Sequence, residues 1–427
     1  MSATLAVWCE RVRLGELSTD RGIWQFRYDP SWLAHERRYP LSPHFRLRAE
    51  PFIDTSEDRP VQWFFDNLLP EGGVRQALAR LARLPENDTF GLLARFGEES
   101  AGALTLLATD ALAPAEGRYE TMSHDDLRDL IRKQPGIPLI AADGRAKMSL
   151  AGAQHKLPVR WDGAQFWLPQ GAPSTHILKP ENARPEHYPF CPANEHFCMS
   201  LARSVGLPAP STELMHLPEP VYMVSRYDRV TAGPQTRRLH QIDLCQLLNK
   251  WPDYKYEAQG GATFREAYLA LAQTRQPAPA RRQLLRWLVF NYLIGNSDAH
   301  AKNISFLADA RGLSLAPFYD LLCVKVYGDD TMAMTLGGEL RYGWVTSSAW
   351  DAVARDLGLR PAYLRRLRLE LAKDLPRAVP GILARAEFTD EECQFLAKVA
   401  AIIGEHVRFV LEGLQGSSTE SRRPRRI

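Results

Sequence analysis

The 427-residue sequence predicts an α+β protein, with a small α/β module at the amino terminus and a mostly helical carboxy-terminal part. Three observations carry this expectation. Apolar and polar positions alternate at the start of the chain (Leu5-Ala-Val7-Trp8, then Ile23-Trp24-Gln-Phe26-Arg-Tyr28), as they do in half-buried strands. Short strand-like runs separated by turn signals recur between Leu157 and Val224. From Leu284 onward the apolar residues fall mainly at helical spacing.

The bulk properties bound the rest. The length suggests two or three domains with ample core. A composition of 45% hydrophobic and 24% charged residues is ordinary for a globular protein, and a net charge of +3 argues against a dedicated nucleic-acid binder. The six cysteines form no C-x-x-C pair, which suggests reduced thiols in a cytosol. His187, Cys191, His196 and Cys198 are too irregularly spaced for a metal cluster and read as packing. No charged-then-apolar leader opens the chain and no run reaches the roughly 18 apolar residues of a membrane span. The expectation is therefore a cytoplasmic protein with no membrane association.

Taken in order, residues 1–110 form the amino-terminal module. Its two alternating runs predict a hairpin or meander around a loop holding Gly15 and Asp20, and residues 30–60 predict loop with one short strand. Helical patterns follow from Val61 and Val74, then a helix over Thr89–Phe96 with Asp88 as N-cap, then a strand over Ala101–Leu107. Residues 111–146 read as a connector with one helix (Ser123–Lys133), where Ser123 and Asp126 stand at capping-box spacing. Residues 147–230 hold a loop rich in small residues (Ala151-Gly152-Ala153-Gln154-His155-Lys156), a strand-turn-strand around Asp162-Gly163, the strand Thr175–Pro180, the helix from Ala193 and the strand Pro220–Ser225. Residues 231–415 read as the helical part, with helices over Ala349–Leu357, Pro361–Leu375 and Asp390–Leu414 whose arginines (Arg360, Arg365, Arg366, Arg368) suit a solvated face. Residues 416–427 predict a basic, disordered tail.

The stretch that organises the chain is Phe290-Asn-Tyr-Leu-Ile-Gly-Asn-Ser-Asp298-Ala-His300-Ala-Lys302-Asn303. An apolar helix is broken at Gly295-Asn296, and an acid, an imidazole, an amine and an amide follow within six residues. Pro317-Phe318-Tyr319-Asp320 then delivers one more carboxylate after a short apolar strand. Phosphotransferases of the protein-kinase type need an Asp to orient the acceptor hydroxyl, an Asn five residues later on a metal, and a further Asp that bridges the metals. Asp298, Asn303 and Asp320 supply these in order, and oxygen ligands of this kind suit Mg²⁺. Taken singly, each has a bland reading as a helix cap or a strand end; the joint spacing favours the kinase. On that reading Gly152 and its neighbours cover phosphates with Lys156 adding positive charge, and Lys179 grips the α/β-phosphates. Lys179 on an edge strand facing solvent is the alternative. Glu195 either complements its helix dipole or pairs with Lys179.

The chain resembles the HipA family of toxin serine/threonine kinases over nearly its whole length. The motifs are Phe64-Phe65-Asp66-Asn67-Leu68-Leu69-Pro70, Ser149-x-x-Gly152-Ala153-Gln154-x-Lys156, His176-Ile177-Leu178-Lys179, Asn194-Glu195, Arg226-Tyr227-Asp228-Arg229, Gly295-x-x-Asp298-x-His300-x-Lys302-Asn303 and Phe318-Tyr319-Asp320. The resemblance implies a two-lobed, protein-kinase-like fold and an Mg-ATP kinase with Asp298 as the catalytic Asp and Asn303 and Asp320 on metal. It implies that Ala151–Lys156, Lys179, Ser225, Tyr227, Gln241, His300, Lys302, Asn303, Tyr319 and Asp320 surround the nucleotide, and that Ser149 is an autophosphorylated serine. It implies a protein substrate, an aminoacyl-tRNA synthetase in the known cases, and a helix-turn-helix antitoxin of the HipB type that carries the complex to operator DNA. The sequence departs from the family at His155, where an acidic residue is common, and at Ser225, where the hinge residue is usually acidic. A small-molecule kinase on the same fold and a silent binding or co-repressor module are the competing readings.

Overall fold

The computed structural model describes residues 3–109, 117–132, 154–182, 184–233 and 235–420, with side chains through Leu414. Ser149, Ala151, Gly152 and Ala153, expected to supply an autophosphorylation site and part of a phosphate loop, lie outside the described residues. The chain divides into two compact units. The first comprises residues 1–183, 215–254 and 305–316, and the second residues 184–214, 255–304 and 317–427.

The first unit is built from sheets. Its amino-terminal sheet has five antiparallel strands in the order Phe52–Ile53, Ile23–Tyr28, Val12–Asp20, Ala3–Cys9, Leu104–Ala108. The stretch around Gly15 expected as a loop is a central strand. Leu14 and Leu17 turn into the core. Gly15 carries no side chain because a Cβ there would lie 2.4 Å from the carbonyl of Arg27 on the next strand. Asp88 caps the helix Thr89–Phe96 as expected, accepting from the Gly91 amide at 2.9 Å. The strand expected from Ala101 begins at Leu104, because Glu99, Ser100 and Gly102 are bonded into a buried charge cluster instead.

Five strands of a six-stranded sheet come next in the order Pro220–Ser225, His176–Pro180, Leu157–Trp161, Phe166–Gln170, Arg118–Met122. Leu127, Leu157, Val159, Phe166, Leu178, Val221 and Met223 form its core. Beneath Leu127 the helix His124–Arg132 is started by the expected box: Ser123 N–H donates to Asp126 Oδ2 and Asp126 N–H to Ser123 Oγ, at 2.9 and 3.1 Å. A third, small sheet joins His240–Asp243, Ser305–Asp309 and Gly312–Leu315.

The second unit is helical. Helix Pro277–Ile294 is buried almost all round from Leu284 to Ile294, and it packs against Pro361–Leu383 and Asp390–Glu420. Helix Pro361–Leu383 continues through Pro376 and Pro380, beyond the end the sequence suggests at Leu375. Helix Asp390–Glu420 runs past Leu414 into the expected tail, since extending a nucleated helix costs little per residue. Arg368 departs from the solvated face expected for it. It is buried, its guanidinium lies 5.1 Å over the Trp350 ring, and desolvation lowers its pKa to about 10. The mixed α/β architecture, with a small sheet module first and helices last, is the fold class the sequence predicts.

Candidate active site

In the second unit the site is assembled at the end of helix Pro277–Ile294. Gly295 terminates that helix in the left-handed conformation (φ 72°), with its N–H on Tyr292 O and that of Asn296 on Asn291 O, the two bonds of a Schellman motif. A Cβ at Gly295 would meet the Lys325 side chain at 3.0 Å, so both conformation and space call for glycine. Two buried amides then fix the course of the chain beyond the helix. Asn291 anchors on Trp287 O at 2.8 Å, and Asn296 Nδ2 donates to Asn291 Oδ1 at 2.8 Å and to Asp320 O at 3.3 Å. Asn296 Oδ1 accepts the Asp298 N–H at 3.2 Å. One buried amide therefore holds the backbones of Asp298 and Asp320 together.

Asp298 is held at its backbone and open at its carboxylate. Its carbonyl accepts the His300 N–H at 2.8 Å and Asn303 Nδ2 at 2.9 Å. Its side chain is 44% exposed, with the Tyr256 hydroxyl donating to Oδ1 at 2.6 Å. Because the Asn303 nitrogen is engaged by that carbonyl, its Oδ1 is the atom that could serve as an oxygen ligand. Lys302 and Asn303 are buried in a single 3₁₀ turn, Ala301–Asn303, and the Tyr319 hydroxyl donates to the Lys302 carbonyl. His300 is buried beside Tyr256, ring edge to ring face at 5.2 Å.

Asp320 stands in irregular backbone, five residues beyond the strand Gly312–Leu315 that the sequence suggested would deliver it directly. Pro317 ends that pairing. Phe318, stacked on Trp287 at 5.9 Å and bonded through its N–H to Pro208 O, anchors the turn that presents it. Asp320 itself is left-handed, with φ 58°. An oxygen pair of Asn303 amide and Asp320 carboxylate is the donor set that Mg²⁺ accepts. Glu195, expected near its helix start, lies in the second turn because the helix begins at Cys191, and it is buried. That removes the simple helix-dipole role for it.

The remaining candidates belong to the first unit. Lys179 is on an interior strand, His176–Pro180, between Pro220–Ser225 and Leu157–Trp161, so the edge-strand alternative does not apply. It pairs in register with Tyr222, and its amine lies 5.7 Å over the Tyr222 ring. Gln154, His155 and Lys156 lead into the neighbouring strand, and burial lowers the His155 pKa. Ser225 ends its strand opposite His176, and Tyr227 comes two residues later. Gln241 lies on His240–Asp243, with its Oε1 buried and accepting from no described residue.

Ser225 and Tyr227 are fixed by a charge cluster the sequence did not reveal. Arg226 donates to Asp228 Oδ1 and Oδ2 at 2.9 and 2.7 Å and to Glu99 Oε1 at 3.4 Å. Arg229 donates to Asp228 Oδ2 at 2.9 Å and to Glu99 Oε1 at 3.4 Å. Ser174 Oγ donates to Glu99 at 2.7 Å, and the Gly102 N–H to Asp228 at 2.7 Å. All four charged side chains are at most 5% exposed. Burial raises the carboxylate pKa values, but the surrounding guanidinium groups win, and both Glu99 and Asp228 are held below the usual carboxylate range.

With that geometry in place, comparison with known proteins is decisive about kinship. The model of the HipA-like C-terminal domain matches residues 148–379, and that of the HipA N-terminal domain matches residues 5–107. The chain belongs to the HipA family. A putative kinase of Sinorhizobium fredii, Y4mE, is 36% identical over 392 residues, covering 89% of this chain and 91% of the relative. The serine/threonine-protein kinase toxin HipA of Shewanella oneidensis is 29% identical over 414 residues, covering 92% of this chain and 93% of the relative. The structure of the Shewanella oneidensis HipA–HipB–operator DNA complex matches with a TM-score of 0.85 at 26% identity, over 96% of this chain and 98% of that one. Among the described residues no helix is long and apolar enough to cross a membrane, and no group of His, Cys, Asp and Glu is set to hold a metal.

Three residues of these two clusters, Tyr256 and Asn291 in the second unit and Glu99 in the first, escaped sequence reasoning. Tyr256 read only as part of a polar loop, Asn291 as part of an apolar helix, and Glu99 was not singled out at all. Nothing local marks Tyr256 or Glu99, whose partners are 42 and 127 residues away. The Asn291 signal was available, as an amide within an otherwise apolar helical run.

Proposed function

We propose that this member of the HipA family is an Mg-ATP-dependent serine/threonine protein kinase and the toxin of a toxin–antitoxin pair. Asp298 orients and deprotonates the acceptor hydroxyl, and Asn303 and Asp320 would hold the metal. Lys179 and Lys156 would contact phosphates together with Ala151–Gln154, and the backbone of Ser225 and Tyr227 would pair with adenine. Bound Mg²⁺ would offset charge on the β- and γ-phosphates. The observation that carries the reading is the Asn296 amide holding Asp298 and Asp320, with Asn303 bonded to the same Asp298. These bonds support the reading of an acid, an amide that would ligate metal and a second acid acting as one constellation in phosphoryl transfer.

The relatives extend the reading. A kinase toxin at 29% identity favours a protein target, here proposed as an aminoacyl-tRNA synthetase, so that phosphorylation slows translation in the cytoplasm. The HipB and operator DNA in the neighbouring structure favour a HipB-like helix-turn-helix antitoxin that brings DNA to the complex. Autophosphorylation at Ser149 belongs to the same proposal. Phosphate there adds about two negative charges beside the loop that covers the nucleotide, and so silences the enzyme.

The test is the intact mass of the phosphatase-treated protein before and after Mg-ATP, beside Asp298→Asn. One added phosphate, located at Ser149 in the wild type alone, is the expected result. An unmodified chain that neither gains phosphate nor binds ATP overturns the reading.

A further inference from the structure

The acid proposed to receive the acceptor's proton is already engaged by a hydroxyl of the same chain. The Tyr256 hydroxyl donates to Asp298 Oδ1 at 2.6 Å, a short, charge-assisted bond. No described residue donates to Asp298 Oδ2, and the side chain is 44% exposed. A hydroxyl group 2.6 Å from the catalytic carboxylate is what an acceptor serine or threonine would present in the reacting complex.

The loop that carries Tyr256 is built to keep it there. Tyr256 precedes the 3₁₀ turn Glu257–Gln259, and its carbonyl accepts the N–H groups of Gln259 and Gly261 at 3.1 and 3.0 Å. Glu257 is clamped by the N–H and hydroxyl of Thr335, at 2.6 and 2.8 Å. The phenol ring also rests against the buried His300. The tether is thus one residue from the hydroxyl, and a shift of that turn carries the hydroxyl off Asp298 without unfolding anything.

We propose that Tyr256 is a specificity-determining residue that stands in for the acceptor on Asp298. A productive acceptor, a hydroxyl on a protein surface, displaces the phenol, whereas water, which has no binding energy to move the Glu257 turn, is kept off. The device suppresses ATP hydrolysis in the absence of the proper acceptor. This inference rests on the kinase reading above. In the suppressed reaction, water forms a bond to the γ-phosphorus, the bond from that phosphorus to the bridging oxygen of ADP breaks, and the water proton passes to Asp298.

The experiment compares release of inorganic phosphate from Mg-ATP, with no protein acceptor added, by wild type, Tyr256→Phe, Glu257→Gln and Asp298→Asn. Phenylalanine keeps the ring against His300 and removes only the hydroxyl, so the fold is retained. Hydrolysis by Tyr256→Phe is expected to rise about tenfold, the worth of one hydrogen bond to a charged group. The KM for ATP should stay within about twofold, since a residue that acts on the acceptor alone leaves nucleotide binding unchanged. Glu257→Gln, which weakens the tether, should rise less. Hydrolysis unchanged or reduced in Tyr256→Phe overturns the proposal and makes the phenol a positioning group for Asp298. A protein that neither gains phosphate from Mg-ATP nor binds ATP overturns the kinase reading itself, a separate outcome that unchanged hydrolysis alone does not give.

Discussion

Two charged clusters, one in each unit, are built on opposite plans. Around Glu99, Arg226, Asp228 and Arg229 every charge faces an opposite one, and water is excluded. Around Asp298 the backbone is fixed by buried amides while the carboxylate itself is half open and holds one hydroxyl. The first arrangement has no valence left for a ligand and works by rigidity, setting the course of Ser225–Tyr227. The second is rigid only up to the functional group. Charge closed on itself marks structure in this molecule, and charge held by its backbone and left open marks chemistry.

Substitution separates the two plans. The largest effect is expected from Asp298→Asn on turnover, a loss of about 10²–10⁴-fold, the worth of a positioned acid–base group. The same change should leave stability within about 0.5 kcal/mol, because the carboxylate is half exposed and an amide oxygen still accepts from Tyr256. A matched pair of phosphate-release and urea-unfolding curves reads both. If the variant instead unfolds early, the Asp298 cluster is structural and the contrast fails.

Glu99→Ala should do the reverse. It leaves buried guanidinium groups facing one another and is expected to cost about 3–5 kcal/mol. The urea midpoint should fall steeply, and whatever activity survives should show a raised KM for ATP rather than a lowered kcat. An unfolding midpoint within experimental error of wild type would mean that the cluster does not stabilise the unit.

The smallest effect concerns acid. His240 is buried, donates through Nε2 to Leu41 O at 2.8 Å, and burial pushes its pKa down to about 4. Its folded pKa lies below the unfolded value of about 6.5, so between the two only the unfolded chain takes the proton. The stability from keeping His240 neutral is whole above that range and declines as pH falls through it, by about 1.4 kcal/mol per pH unit. Glu99 and Asp228 hold their charge below the usual carboxylate range, so their contribution is lost only below about pH 4. His240→Gln should shrink the first limb of the stability curve without removing it, because burial also lowers the pKa values of His176 (to about 4), His196 and His406, and it should leave the second limb in place. A first limb the same size in the variant as in wild type would remove His240 from the account.

Legibility in the sequence followed the same division. Asp298 and Asn303 sit in one short run, and their spacing is set by a single turn, so a motif could be read from it. The strands and helices were legible wherever periodicity was strong, as at Thr89–Phe96 and Asp390 onward. Gly15 misled because a glycine in a strand looks like a turn until the crossing chain is seen. Arg368 misled because a helical arginine is usually solvated, and only the packed neighbourhood reveals that it covers Trp350. Tyr256 and Glu99 were illegible on principle, since their meaning comes from partners brought in by the fold.

The left-handed backbone at Asp320 has a practical bearing on any inert reference protein. An L-residue in that conformation is strained by about 1–2 kcal/mol, and Asp and Asn bear it best because their short polar side chains bond locally. Alanine at 320 would remove the carboxylate and also impose a conformational penalty, whereas asparagine removes the charge and keeps the turn. Under the toxin reading proposed above, harmlessness of the alanine form does not separate scarcity of folded protein from loss of the reaction, whereas harmlessness of the asparagine form reports loss of the reaction.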